Sequence, residues 1–176
     1  ADSGIWAVTG LQTRKREQVG CPWGAPRDEL LPGQLAGVEM VFLPRHGRGH
    51  VHAPSDVPYR ANIDALKRLG VTDVISVSAC GSFRESMAPG HFVLVDQFID
   101  RTTQRASSFF SRGCVGHVSL AHPTCPRLSA AWAVAARAEG STGAGGRTDT
   151  AMERAHVSTR AARRMPRGSV GAALRR

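Results

Sequence analysis

Val41-Phe42-Leu43-Pro44-Arg45-His46-Gly47-Arg48-Gly49-His50 runs an apolar, strand-like stretch straight into a turn that carries two arginines and two histidines beside glycines. Glycine lets a backbone approach a ligand closely, arginine offers a planar fork of donors, and histidine adds a donor whose charge follows its surroundings. The chemistry that fits is an anion site, with phosphate first among the ligands. The plainer alternative is a solvated basic turn after an edge strand.

Downstream, residues 54–70 read PSDVPYRANIDALKRLG, in which Tyr59, Ile63, Leu66 and Leu69 recur at helical spacing and Gly70 stands where a helix stops. Val74-Ile75-Ser76-Val77-Ser78-Ala79 is a β-branched run that reads as a strand, breaking at Cys80-Gly81-Ser82. Pro89-Gly90 marks a turn, and His91-Phe92-Val93-Leu94-Val95 reads as a further strand leading into residues 96–102. Strand, helix and strand with short joints predict a parallel sheet with crossover helices. The expected class is therefore α/β, a mixed, largely parallel sheet flanked by helices. Ligands of such sheets gather at the carboxyl ends of strands, where both the Arg45-His46 turn and the Ser78-to-Ser82 turn are expected.

At 176 residues and 41% hydrophobic content the chain has material for one core. No run approaches the roughly twenty apolar residues that span a bilayer, and no basic-then-apolar leader opens the chain, so a cytoplasmic protein is expected. Cys21, Cys80, Cys114 and Cys125 form no disulfide-like framework and read as reduced thiols. A start at Ala1 reads as a fragment or partial reading frame.

The net charge of +9 raises nucleic acid as a partner, but only Lys15 and Lys67 are lysines, and abundant arginine, alanine and glycine look like codon bias in a GC-rich genome. The charge is also uneven. Residues 141–176 hold eight arginines against Asp149 and Glu153, with few large apolar side chains. We expect a recognisable domain over residues 4–140 and a basic, poorly ordered tail over 141–176, which would touch polyanions only without specificity.

Cys114, His117, His122 and Cys125 have ligand types and spacing that suit zinc. Against it, Val115, Val118 and Leu120 make the stretch strand-like, which sends neighbouring side chains to opposite faces, and Pro123 and Pro126 stiffen the rest. No metal is assigned. A helix over residues 126–138 sets Leu128, Trp132 and Ala135 along one face as core.

The strings FLPRHGRGH, PYRANIDALKRLGV, SACGS, PGHFVLVDQFIDRT and HVSLAHPTCPRL, ordered and evenly spaced from about Val19 to Leu128, resemble the trimeric purine nucleoside phosphorylase family, on its thioadenosine-cleaving side. The resemblance implies a phosphate held by Thr9, Arg45, His46, Ser78 and Ala79. It implies a nucleoside pocket that continues through Cys80 and Gly81, with His117 reaching into the site of a neighbouring subunit. Residues 152–161 look like a worn copy of the family's M-E-G-P-Q-F-S-T-R-A, which places Val157 and Ser158 at the purine. The implied reaction is phosphate-dependent cleavage of 5'-methylthioadenosine to adenine and 5-methylthioribose 1-phosphate by a homotrimer. Inorganic phosphate is the cosubstrate and no cofactor is implied. A 6-oxopurine nucleoside is the alternative substrate. Arg45-His46-Gly47 also resembles the histidine phosphatases, but the helix and the strings after it do not fit them.

Departures from the family carry their own expectations. Ala7-Val8-Thr9-Gly10-Leu11 stands where the family has Gly-Gly-Thr-Gly-Leu, removing two residues of free dihedral range beside phosphate. Arg154-Ala155 replaces Gly-Pro, and Val157 replaces an aromatic that stacks on the base. The sequence ends at Arg176, ahead of the family's segment bearing the purine-protonating aspartates. General acid assistance is worth about two to four orders of magnitude. Impaired turnover is therefore expected, the limiting case being a non-catalytic remnant that binds phosphate or a sister subunit.

Overall fold

Three short strands, β1 (Gln12–Thr13), β2 (Leu31–Leu35) and β3 (Val38–Phe42), form an antiparallel sheet in the order β1-β2-β3. β2 and β3 are a hairpin paired from Leu35↔Val38 to Leu31↔Phe42. Its two turn residues, Ala36 and Gly37, both have positive φ, 47° and 80°. Two left-handed residues in sequence match the right-handed twist of the strands they join, which is why this turn closes tight hairpins.

The computed structural model describes residues 9–26, 28–47, 53–110, 113–140, 143–151 and 169–171. They fall into two units, one of residues 1–77 with 105–109 and the other of residues 78–104 with 110–176.

In the first unit a 3-10 turn (Pro54–Asp56) leads to α1 (Tyr59–Arg68). Tyr59 donates its hydroxyl to the Pro54 carbonyl at 2.9 Å, tying the approach to the helix. The helix stops at Gly70 (φ 78°), whose N–H bonds the Lys67 carbonyl at 3.0 Å while that of Val71 bonds Leu66 at 3.1 Å. These paired bonds satisfy carbonyls that a helix end leaves open, and only glycine adopts the required conformation without strain.

The core of this unit is Leu30, Ala65 and Leu66, with Val19, Val41, Leu43, Leu69 and Val71 packed around it. Hairpin and helix thus bury one another. The buried stripe of α1 is Ala61, Asn62, Ala65 and Leu66, whereas Ile63, one of the apolar residues that mark the helical spacing, is 45% exposed. Two alanines on the inner face permit a close approach of backbones, and this outweighs the larger side chain at Ile63. Residues 105–109 join the same unit. Phe109 meets Trp23 edge-on at 5.6 Å, Arg60 lies 4.6 Å over the Trp23 ring, and Arg105 lies 5.4 Å over Tyr59.

The second unit contains β4 (Phe92–Asp100), α2 (Pro126–Ala138), β5 (Gly143–Ala151) and β6 (Ser169–Gly171). The strands pair in parallel in the order β4-β5-β6, and α2 packs across β4 and β5 as the crossover. β4 follows a turn at Pro89-Gly90 (φ 93°), as expected, and runs on to Asp100. β5 and β6 come from the stretch expected to be a basic tail; residues 152–168 and 172–176 lie outside the described residues. The chain is α/β with mixed strand sense, antiparallel in one unit and parallel in the other.

Two expectations are corrected. Residues 74–79 form no strand: the chain is irregular from 71 to 80, and Val74, Ile75 and Val77 are 53%, 49% and 43% exposed. A β-branched run becomes a strand only where another strand satisfies its backbone, and none among the described residues does so. In α2 the helix bounds are as expected, but Trp132 is 43% exposed and none of its residues is fully buried. Its half-buried residues are Leu128, Ser129, Ala133 and Ala136, a stripe rotated from the one centred on Trp132. No helix among the described residues is long and apolar enough to cross a membrane.

Candidate functional site

β3 delivers the chain into the turn Pro44-Arg45-His46-Gly47, closed by a 2.8 Å bond from the Gly47 N–H to the Pro44 carbonyl, with Gly47 at φ 74°. Pro44 is buried, and His46 is only 4% exposed. Arg45 is half-buried and reaches Ser76, its Nη1 donating to Oγ over 3.4 Å. A guanidinium held beside a hydroxyl at the end of a strand suits a tetrahedral anion. Thr9, also in this unit, sits in an exposed turn with Gly10 at φ 84°. Arg48, His50, Ala7 and Val8 lie outside the described residues.

Sequence reasoning passed over Ser76. The signal was available, since Ser76 and Ser78 are two apart and share a side wherever the chain is extended.

The remaining candidates belong to the second unit. Ser78, Ala79 and Cys80 are exposed and Gly81 is half-buried; Ser82 then forms a small turn, its Oγ accepting from the Arg84 N–H and donating to the Arg84 carbonyl, both at 3.0 Å. His117 is exposed in an irregular stretch that runs to α2. Val157 and Ser158 lie outside the described residues. Cys114, His117, His122 and Cys125 do not gather: no group of three or more His, Cys, Asp or Glu side chains arranged for a metal occurs among the described residues.

Charges elsewhere in the first unit serve the scaffold. Arg68 donates to Asp64 at 2.6 Å one helical turn away. That bond holds the Asp64 carboxyl below its ordinary value; desolvation opposes it, and the Cys21 thiol adds a smaller lowering. The same contact raises the already high pKa of Arg68. On the sheet, Glu39 accepts from Arg14 at 2.6 Å and from Gln34 at 3.0 Å. Asn62 differs from these, being 3% exposed with neither side-chain amide atom hydrogen-bonded.

A parallel-stranded α/β unit and a glycine-closed Arg-His turn define the class of protein. Residues 10–173 match the Phosphorylase superfamily, and the chain belongs to that family. A Cereibacter sphaeroides protein named S-methyl-5'-thioadenosine phosphorylase is 66% identical over 157 residues, which are 89% of this chain and 54% of that protein. One of the same name from Bradyrhizobium diazoefficiens is 58% identical over the same shares. Among solved structures, a methylthioadenosine phosphorylase from an antarctic soil metagenomic library has a TM-score of 0.90 at 39% identity, covering 97% of this chain and 62% of that one. The Schistosoma mansoni methylthioadenosine phosphorylase in complex with adenine has a TM-score of 0.82 at 34% identity, covering 90% and 65%. The chain spans about half the length of the curated relatives it matches.

Proposed function

We propose that the chain is the phosphate-holding portion of a pentosyltransferase that cleaves 5'-methylthioadenosine with inorganic phosphate, yielding adenine and 5-methylthioribose 1-phosphate. The observation that carries this reading is the Arg45 turn, with its guanidinium against Ser76 two residues ahead of Ser78. Relatives named for this activity support it.

In this reading Thr9, Arg45, His46, Ser78 and Ala79 hold phosphate so that one oxygen faces ribose C1'. That oxygen forms the new C–O bond as the bond from C1' to the purine breaks, and the electron pair and a proton end on the base. Positioning and charge neutralisation are what these residues contribute. Cys80 and Gly81 line the nucleoside pocket with Val157 and Ser158, and His117 comes from a neighbouring copy in a cytoplasmic homotrimer. Phosphate is a cosubstrate, and no cofactor takes part.

The test is product release from 5'-methylthioadenosine and from inosine, with and without phosphate. Slow, phosphate-dependent adenine release is expected. Preference for inosine, or base release that ignores phosphate, overturns the reading.

A further inference from the structure

Gln97 holds the stretch that carries His117. From β4 its Nε2 donates to the Leu120 carbonyl at 3.2 Å and the Ala121 carbonyl at 3.3 Å, while its Oε1 accepts the Phe98 N–H at 2.9 Å. The Phe98 bond sets which end of the amide is which, so the NH2 group faces the two carbonyls. One residue earlier, the Asp96 carbonyl accepts from the Thr124 hydroxyl at 3.4 Å. β4 is the terminal strand of its sheet among the described residues, and its side chains supply bonds here that a further strand would make through its backbone.

At its start Cys114 makes an isolated β-bridge. Val115, Val118 and Leu120 are 83%, 72% and 59% exposed, so burial contributes little. Gly116 packs closely as well, since an added Cβ there would run into the Phe110 ring. His117 therefore lies in a tether of three residues between the Phe110–Gly116 contact and the carbonyls gripped by Gln97.

We propose that Gln97 is a positioning residue for His117, fixing the point to which the imidazole is delivered. The proposal rests on the reading that His117 serves a nucleoside site. A short tether with both ends held restricts where its side chain goes, and small misplacements at such a site are costly.

The test uses Gln97→Glu, which turns a carboxylate oxygen toward the two carbonyls, and Gln97→Met, which deletes the donor. Each is made alone and with His117→Ala. Calorimetry measures 5'-methylthioadenosine at saturating phosphate, and phosphate alone; hydrogen exchange follows amides 117–121 without ligand. Expected are a loss of nucleoside affinity of at least about fivefold, a change in phosphate affinity within about twofold, and no further loss in the His117→Ala background. Exchange at 117–121 quickens. Equal losses for both ligands, or a nucleoside loss that persists undiminished without His117, overturns the proposal. If the unaltered protein binds no methylthioadenosine, the functional reading fails, and exchange alone decides: quickening upholds Gln97 as the holder of this stretch, and unchanged exchange refutes it.

Discussion

Arg45 Nη1 lies 3.4 Å from Ser76 Oγ, bridging the turn after β3 and the irregular stretch that leads to Ser78. The bond is longer than the roughly 2.9–3.0 Å of a typical N–H···O contact, so the hydroxyl competes weakly with a charged ligand. A phosphate oxygen makes a shorter, charge-assisted bond to the same guanidinium. Arg45→Ala is expected to weaken phosphate binding about tenfold or more, with Arg45→Lys recovering only part because a point charge lacks the fork. Ser76→Ala should change affinity by less than about threefold, since it removes one weak neutral partner. Phosphate calorimetry on the three variants decides, and equal binding by Arg45→Ala would sink the anion site.

Leu30 is fully buried at the centre of the hairpin and helix core. Leu30→Ala should cost about 2–5 kcal/mol in urea denaturation, the transfer of the lost methyls plus the cavity they leave. Gly70→Ala, at φ 78° beyond α1, should cost about 1–2 kcal/mol through backbone strain alone. A cost for Gly70→Ala near zero would mean that the helix end rearranges.

Asn62 is the reverse case. Its amide is buried and makes no hydrogen bond, a penalty of about 1–3 kcal/mol that a smaller apolar side chain escapes. Asn62→Ala should therefore raise the urea midpoint, helped by about 0.5 kcal/mol of helix propensity and opposed by a small cavity. A clear fall in the midpoint would reveal a bound water or ligand on the amide.

The Asp64–Arg68 pair gives a pH dependence of known sign. Asp64 has a folded pKa below its ordinary value of 3.8, so its contribution is present in full above that value. It is lost as pH falls through the lower folded value, because the unfolded chain takes up the proton first. The stability difference between the unaltered protein and Asp64→Asn should be steady at neutral pH and shrink below about pH 4. Added salt should shrink it too. A difference that grows in acid would contradict the pairing.

Local chemistry made part of this legible. Gly70 ends α1 and Pro126 opens α2 because each acts through its own φ, and the Arg45-His46 turn declares itself through glycines and cationic donors within a few residues. Gln97 and Ser76 escaped notice because their partners lie 23 and 31 residues away, and no local pattern announces such bonds. Val157 and Ser158, read from the sequence alone, lie outside the described residues.

The helices, the turns, the α/β class and the family follow from residue order, since steric limits on φ and ψ and the order of motifs act along the chain. Strand pairing was settled by long-range packing. Val41-Phe42, expected beside parallel neighbours, closes an antiparallel hairpin on residues 31–32, whereas Val74 to Val77, equally strand-like in composition, joins no strand among the described residues. Tertiary packing also chose the buried stripe of α1, turning Ala61 and Ala65 inward and Ile63 outward. One cause underlies these cases. A strand is completed by hydrogen bonds to a distant segment, and a helix face by the shape of what it meets, so neither is specified by the residues that form it.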